Sequence, residues 1–157
     1  MTDRKVVIPK QTTIGDAAVD GLLAGGGAGL LMLAILVVAG LAAGDTLATI
    51  LSRFNAGGSG SAGAGLLTHL AVAAVYGIIF ALLAWFTPRS WRRRIAGWLA
   101  GLVYGLLLLA LAEIVLLPGT QSPLQEVPAV TLALAHIVYG VSLGRFINYT
   151  GAFSGQG

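Results

Sequence analysis

The sequence predicts an all-α integral membrane protein, a single bundle of four spanning helices, on three observations. Hydrophobic residues make up 57% of the 157 and charged residues only 10%, with a mean hydropathy of +0.89. Soluble domains carry about a quarter charged residues, so lipid is the solvent that suits this surface. Four runs approach the roughly 20 apolar residues that a helix needs to cross the hydrocarbon core. Those runs are continuously apolar and do not alternate, which argues against a barrel, and open strands would leave edge amides unpaired in lipid. The length allows one domain, 1–157.

The spans are read at about 16–41, 66–86, 95–117 and 127–146. The first is too long and too far from the terminus for a simple cleavable signal. Thr13, three residues before Asp16, makes an N-cap arrangement at its start. Between the first two spans, 45–54 reads as a short interfacial helix, with Leu47, Ile50, Leu51 and Phe54 at helical spacing and Asp45 as its N-cap. A Gly/Ser/Ala loop follows over 55–65, and 118–128 is a second loop containing three prolines and Glu126.

Charge sets the expected orientation. Arg4, Lys5 and Lys10 precede the first span, Arg89, Arg92, Arg93 and Arg94 join the second to the third, and Arg145 ends the fourth. The opposite loops carry only Arg53. The positive-inside rule then puts both termini and the arginine-rich loop in the cytoplasm, as in a multi-pass protein of the inner (plasma) membrane. Trp85, Phe86, Trp91 and Trp98 flank that loop, where an aromatic belt belongs. On this topology the Asn148-Tyr149-Thr150 glycosylation acceptor faces the cytoplasm and is discounted. Nine scattered basic residues do not make a nucleic-acid surface. The absence of cysteine excludes disulfides, thiolate metal sites and iron–sulfur clusters.

Helices in lipid associate by close approach across small residues. Gly21, Gly25 and Gly29 recur at four-residue spacing on the first span, Gly97, Gly101 and Gly105 on the third, and Gly140 and Gly144 on the fourth. The second offers Ala73 and Gly77. These read as packing faces, within the bundle or toward a homo-oligomer or other membrane subunits. Val-Tyr-Gly recurs at 75–77, 103–105 and 138–140, with His69 and His136 upstream of two copies. The repeat is either an old duplication of a two-helix hairpin or a coincidence in a small alphabet.

Ionisable residues inside a membrane are costly and are functional candidates by default. At about 1.5 Å per residue, His69, Glu113 and His136 all fall in the outer half of the bilayer, with Tyr76, Tyr104 and Tyr139 as a layer beneath. In the plainest reading the histidines bond neighbouring helices, Glu113 reaches the outer interface and the tyrosines satisfy one another. A second makes His69 and His136 axial ligands of a b-type haem, or either one a ligand of a chlorophyll-type pigment. A third is a proton or small-ion path through the three groups. Enzyme signatures are absent: Gly21 and Gly26 have phosphate-loop spacing, but Gly27 and Ala28 follow where Lys and Ser/Thr should stand. No metal-ligand pair lies at helical-turn spacing on one span.

The chain resembles a loosely defined group of small, uncharacterised bacterial four-span membrane proteins. The resemblance rests on Asp20-Gly21-Leu22-Leu23-Ala24-Gly25, on Thr68-His69-Leu70 leading to Val75-Tyr76-Gly77, and on Ala135-His136-Ile137-Val138-Tyr139-Gly140. No activity carries over from that group. Proteins of this size and build look like accessory subunits of respiratory or photosynthetic complexes. The expectation is therefore a non-catalytic accessory or scaffolding subunit, with tetrapyrrole binding and ion conduction as the alternatives.

Overall fold

The computed structural model describes residues 13–55, 61–88, 90, 95–120 and 122–149. Arg4, Lys5, Lys10, Arg89, Trp91, Arg92, Arg93, Arg94 and Thr150 lie outside them. Helices α1 (Ile14–Ala42), α2 (Leu47–Ser52), α3 (Ala62–Phe86), α4 (Gly97–Leu111), α5 (Leu117–Thr120) and α6 (Ala129–Tyr149) follow in order. A π-helical turn, Ala112–Leu116, joins α4 to α5 into the third long helix, and a 3-10 turn, Pro123–Glu126, precedes α6. Four helices, α1, α3, Gly97–Gly119 and the body of α6, are long and apolar enough to cross a membrane. The fold is an all-α four-helix bundle.

Local chemistry sets the boundaries. Thr13 caps α1 in a full capping box with Asp16, whose carboxylate returns to the Thr13 amide at 2.8 Å. At the other end Gly44, at φ +92°, lets the chain reverse, and the amides of Gly44 and Asp45 bond the carbonyls of Leu41 and Gly40. That is the Schellman arrangement, which needs a left-handed residue there. The short helix begins one residue later than its sequence suggests. Thr46 is the N-cap of α2, and Asp45 instead pairs with Arg53 at 2.6 Å. Helix α3 starts at Ala62 behind an Ser61 cap, so the glycines at 63 and 65 are helical and His69 lies about 6 Å deeper than a start at 66 implies.

Helix also replaces loop after residue 117. Pro118 lies in α5, where its ring lacks a donor for the Ile114 carbonyl and crowds it. The preceding π turn widens the backbone by one residue per turn, with the Leu117 amide bonding Ala112. Gln125 Nε2 donates to the Leu117 carbonyl, which ties the 3-10 turn to this helix.

The helices pack as two tight hairpins, α1 with α3 and α4 with α6, joined along α1 and α6. Both seams use glycine in the same register. A Cβ on Gly21 would strike the Gly77 carbonyl and one on Gly25 the Ala73 carbonyl; likewise a Cβ on Gly101 would strike the Gly140 carbonyl and one on Gly105 that of His136. Gly97 meets Gly144, and Gly29 lies under the Ala73 methyl. At such contacts backbones approach directly, which is how helices bind one another in lipid. In this register Gly77 corresponds to Gly140, whereas His136 matches Ala73 rather than His69. The two histidines therefore do not occupy equivalent positions in the two hairpins. Helix α2 closes one end of the bundle, with Ile50 buried under Gly40 and the Leu51 backbone pressed onto Gly65.

Candidate functional site

The remaining helix pair, α3 and the third long helix, is not a glycine seam. At mid-bundle the ring of Tyr104 stacks on Phe80 at 5.0 Å between centroids, and its hydroxyl donates to the Tyr76 carbonyl at 2.9 Å. From that level to the α2 end the two helices stand apart around a cavity of ≈ 430 Å³. Two stripes at four-residue spacing wall it, Thr68, Val72 and Tyr76 on α3 and Leu108, Ala112 and Leu116 on the third helix. Met32 and Leu36 of α1 and Leu132, His136 and Tyr139 of α6 form its back. Arg53 and Phe54 beside α2, with Pro123 and Leu124 of the 3-10 turn, cover the end. The lining is mostly apolar, with Thr68, His69, Tyr76, Ser122, His136 and Tyr139 among its polar side chains, and the volume is in the range of small-molecule sites, roughly 300–1,000 Å³.

Both histidines lie in this wall. His69 is 8% exposed; its Nε2 is 3.0 Å from the Gly29 carbonyl, and Phe54 packs on its ring at 4.6 Å. His136 Nδ1 is 2.8 Å from the carbonyl of Leu132, one turn back on its own helix. A carbonyl can only accept, so each of these ring nitrogens carries a proton. The tautomers are thereby fixed: in the neutral rings His69 Nδ1 and His136 Nε2 hold lone pairs.

The other polar residues named by the sequence are placed as follows. Tyr139, 2% exposed, donates to the Ala73 carbonyl at 2.7 Å. The Tyr104 and Tyr139 hydroxyls thus bond backbone carbonyls rather than one another. Glu113 sits on the π turn within electrostatic range of His136, and its Oε1 is buried with no hydrogen-bond partner among the described residues. It is not part of the cavity wall. Among the described residues no group of three His, Cys, Asp or Glu could hold a metal ion.

A two-histidine haem does not fit this arrangement. His69 Nε2 is already committed to Gly29, and Phe54 covers the ring. Of the two remaining lone pairs, His69 Nδ1 belongs to a residue only 8% exposed, which leaves His136 Nε2 as the more accessible donor, oriented by the Nδ1 bond in the way metal-ligating histidines are. The sequence also left the cavity itself unmarked. Its signals are the two four-residue stripes and Pro118, whose π turn displaces Ala112 and Leu116, but apolar stripes look alike whether they face a cavity or lipid.

The fold and the site together define a multi-pass membrane protein with a small intramembrane cavity. By sequence the chain belongs to DUF6789, a family of unknown function, whose match covers residues 16–154. No curated protein and no solved structure matches it.

Proposed function

We propose that the protein is a non-catalytic, multi-pass inner-membrane protein that binds a lipid-soluble molecule in the cavity walled by His69 and His136. The observation that carries the reading is the cavity itself. Four short helices in lipid ordinarily close every gap with side chains, because van der Waals contact is what holds them together. Here two seams close to backbone contact while the gap between α3 and the third long helix keeps ≈ 430 Å³ open beside the buried side chains of His69 and Tyr139. On the charge pattern both termini are cytoplasmic and the cavity lies in the outer half of the bilayer.

An accessory or scaffolding role has three supports in the sequence: small soluble portions, no reaction motif and a surplus of glycine faces. Gly21, Gly25, Gly29 and Gly77, and Gly97, Gly101, Gly105, Gly140 and Gly144, face one another inside the chain, so they offer no spare surface. One observation still favours a partner: the third long helix is the least buried of the four. A neighbouring subunit or a second copy on Leu107, Ile114 and Val115 would suit it. An ion path has less support, since among the described residues no polar side chain continues the cavity lining beyond Tyr76 and Tyr139.

The test is mass spectrometry of the organic extract, with an absorption spectrum, of the full chain gently purified from its native membrane. A small molecule retained at near one per chain, and lost in the cavity-filling variant Val72→Trp, is the expected result. A Soret band lost in His136→Ala would make the ligand a haem or chlorophyll-type pigment. Equal retention by both proteins, or none beyond bulk lipid, contradicts the proposal.

A further inference from the structure

We infer that the cavity selects a lipid-soluble molecule whose polar end is a hydroxyl, a hydrogen-bond donor, with His136 as its acceptor. The inference rests on the ligand-binding reading above and adds the chemistry of the ligand's head. Its basis is a count of free hydrogen-bonding capacity. His69 Nε2–H is spent on Gly29, His136 Nδ1–H on Leu132 and the Tyr139 hydroxyl proton on Ala73. Three of the polar side chains in the wall have therefore given their donors to backbone, and what they retain in the neutral state is lone pairs. The Tyr76, Thr68 and Ser122 hydroxyls can donate or accept and do not discriminate.

A carbonyl-only or ether head could accept from one of these hydroxyls but would leave the His136 lone pair unmatched. An anionic head would need a free cation. Among the described residues Arg53 is the one cation in the wall, and both its terminal nitrogens are engaged, NH1 with Asp45 at 2.6 Å and NH2 with Asp45 at 3.2 Å and Glu126 at 3.6 Å. Its charge is matched before any ligand arrives. A neutral hydroxyl on an apolar body, such as a long-chain or ring alcohol or a quinol, suits both the wall and its lone pairs. His136 takes the role over His69 because His69 is only 8% exposed and packed against Phe54.

The experiment uses the full chain in lipid nanodiscs with two photoreactive probes, a long-chain alcohol bearing a mid-chain diazirine and its methyl ether. Adducts are mapped by peptide mass spectrometry, and unlabelled alcohol and ether compete. The alcohol is expected to compete about fivefold better than the ether at adducts on 68–76 and 108–116, the preference one hydrogen bond supplies. His136→Phe, which keeps an aromatic ring there, is expected to erase that preference while labelling continues, and Leu107→Phe to leave it intact. Equal competition, or a preference for the ether, overturns the hydroxyl inference but leaves the cavity as a binding site. Labelling that avoids both stretches for both probes overturns the cavity reading and the inference with it. If His136→Phe fails to fold, His136→Gln, which retains an acceptor oxygen, is expected to keep more than half of the preference; its complete loss there contradicts the inference.

Discussion

Two kinds of interhelical contact sit side by side in this bundle. In the hairpin seams, glycines opposite one another bring backbones so close that a single Cβ would strike a carbonyl oxygen. Across the α3 side of the third long helix, aromatic rings hold the helices apart and a cavity remains. Both are made from the same apolar alphabet. The difference is volume per turn: a seam of glycine excludes everything, and a stripe of Val, Leu and Tyr beside a π turn leaves room. Backbone contact belongs to the first and open volume to the second.

Added volume should distinguish them most sharply. Gly101→Leu places a branched side chain against the Gly140 carbonyl, which no rotamer avoids. Loss of about 3 kcal/mol or more, or failure to fold, is expected in a denaturant titration in detergent. Val72→Trp adds far more volume on the cavity side and is expected to leave that titration within about 1 kcal/mol of the native chain. Equal damage from the two would collapse the distinction. Next in size is Tyr139→Phe, which removes the bond to Ala73 and should cost about 1 kcal/mol, the usual scale for such contacts in lipid.

Smaller effects sharpen the picture at the closed end. Arg53→Ala removes a part-buried pair with Asp45 and is expected to cost a few tenths to about 1 kcal/mol, less at high salt. Leu107→Ala, at a residue 63% exposed, should change stability by under about 0.5 kcal/mol, because lipid replaces what the side chain touched. A Leu107 effect as large as that of Gly101 would place a partner on this face.

How much of this the sequence displayed depends on the range of the interaction. The four spans were legible because length and continuous hydropathy are local, and so was the Thr13–Asp16 cap. The N-cap of α2 was misplaced by one residue because Asp45 and Thr46 are both good caps, and the Arg53 pair that recruits Asp45 is a tertiary contact. The start of α3 was missed because Gly63 and Gly65 read as loop residues; Gly65 is there to admit the Leu51 backbone. Four-residue glycine spacing marked contact faces but not which glycine meets which. The polar residues were visible one by one, yet only the fold shows that His69 and His136 share a wall while Glu113 stays outside it.

The most direct test of the account is the distribution of a photoreactive long-chain alcohol over the chain in nanodiscs, measured as its concentration rises. Saturable adducts concentrated on 68–76 and 108–116, and removed by Val72→Trp, are expected. Adducts spread evenly over outward residues such as Val75 and Leu107, rising linearly without saturation and indifferent to Val72→Trp, would contradict it.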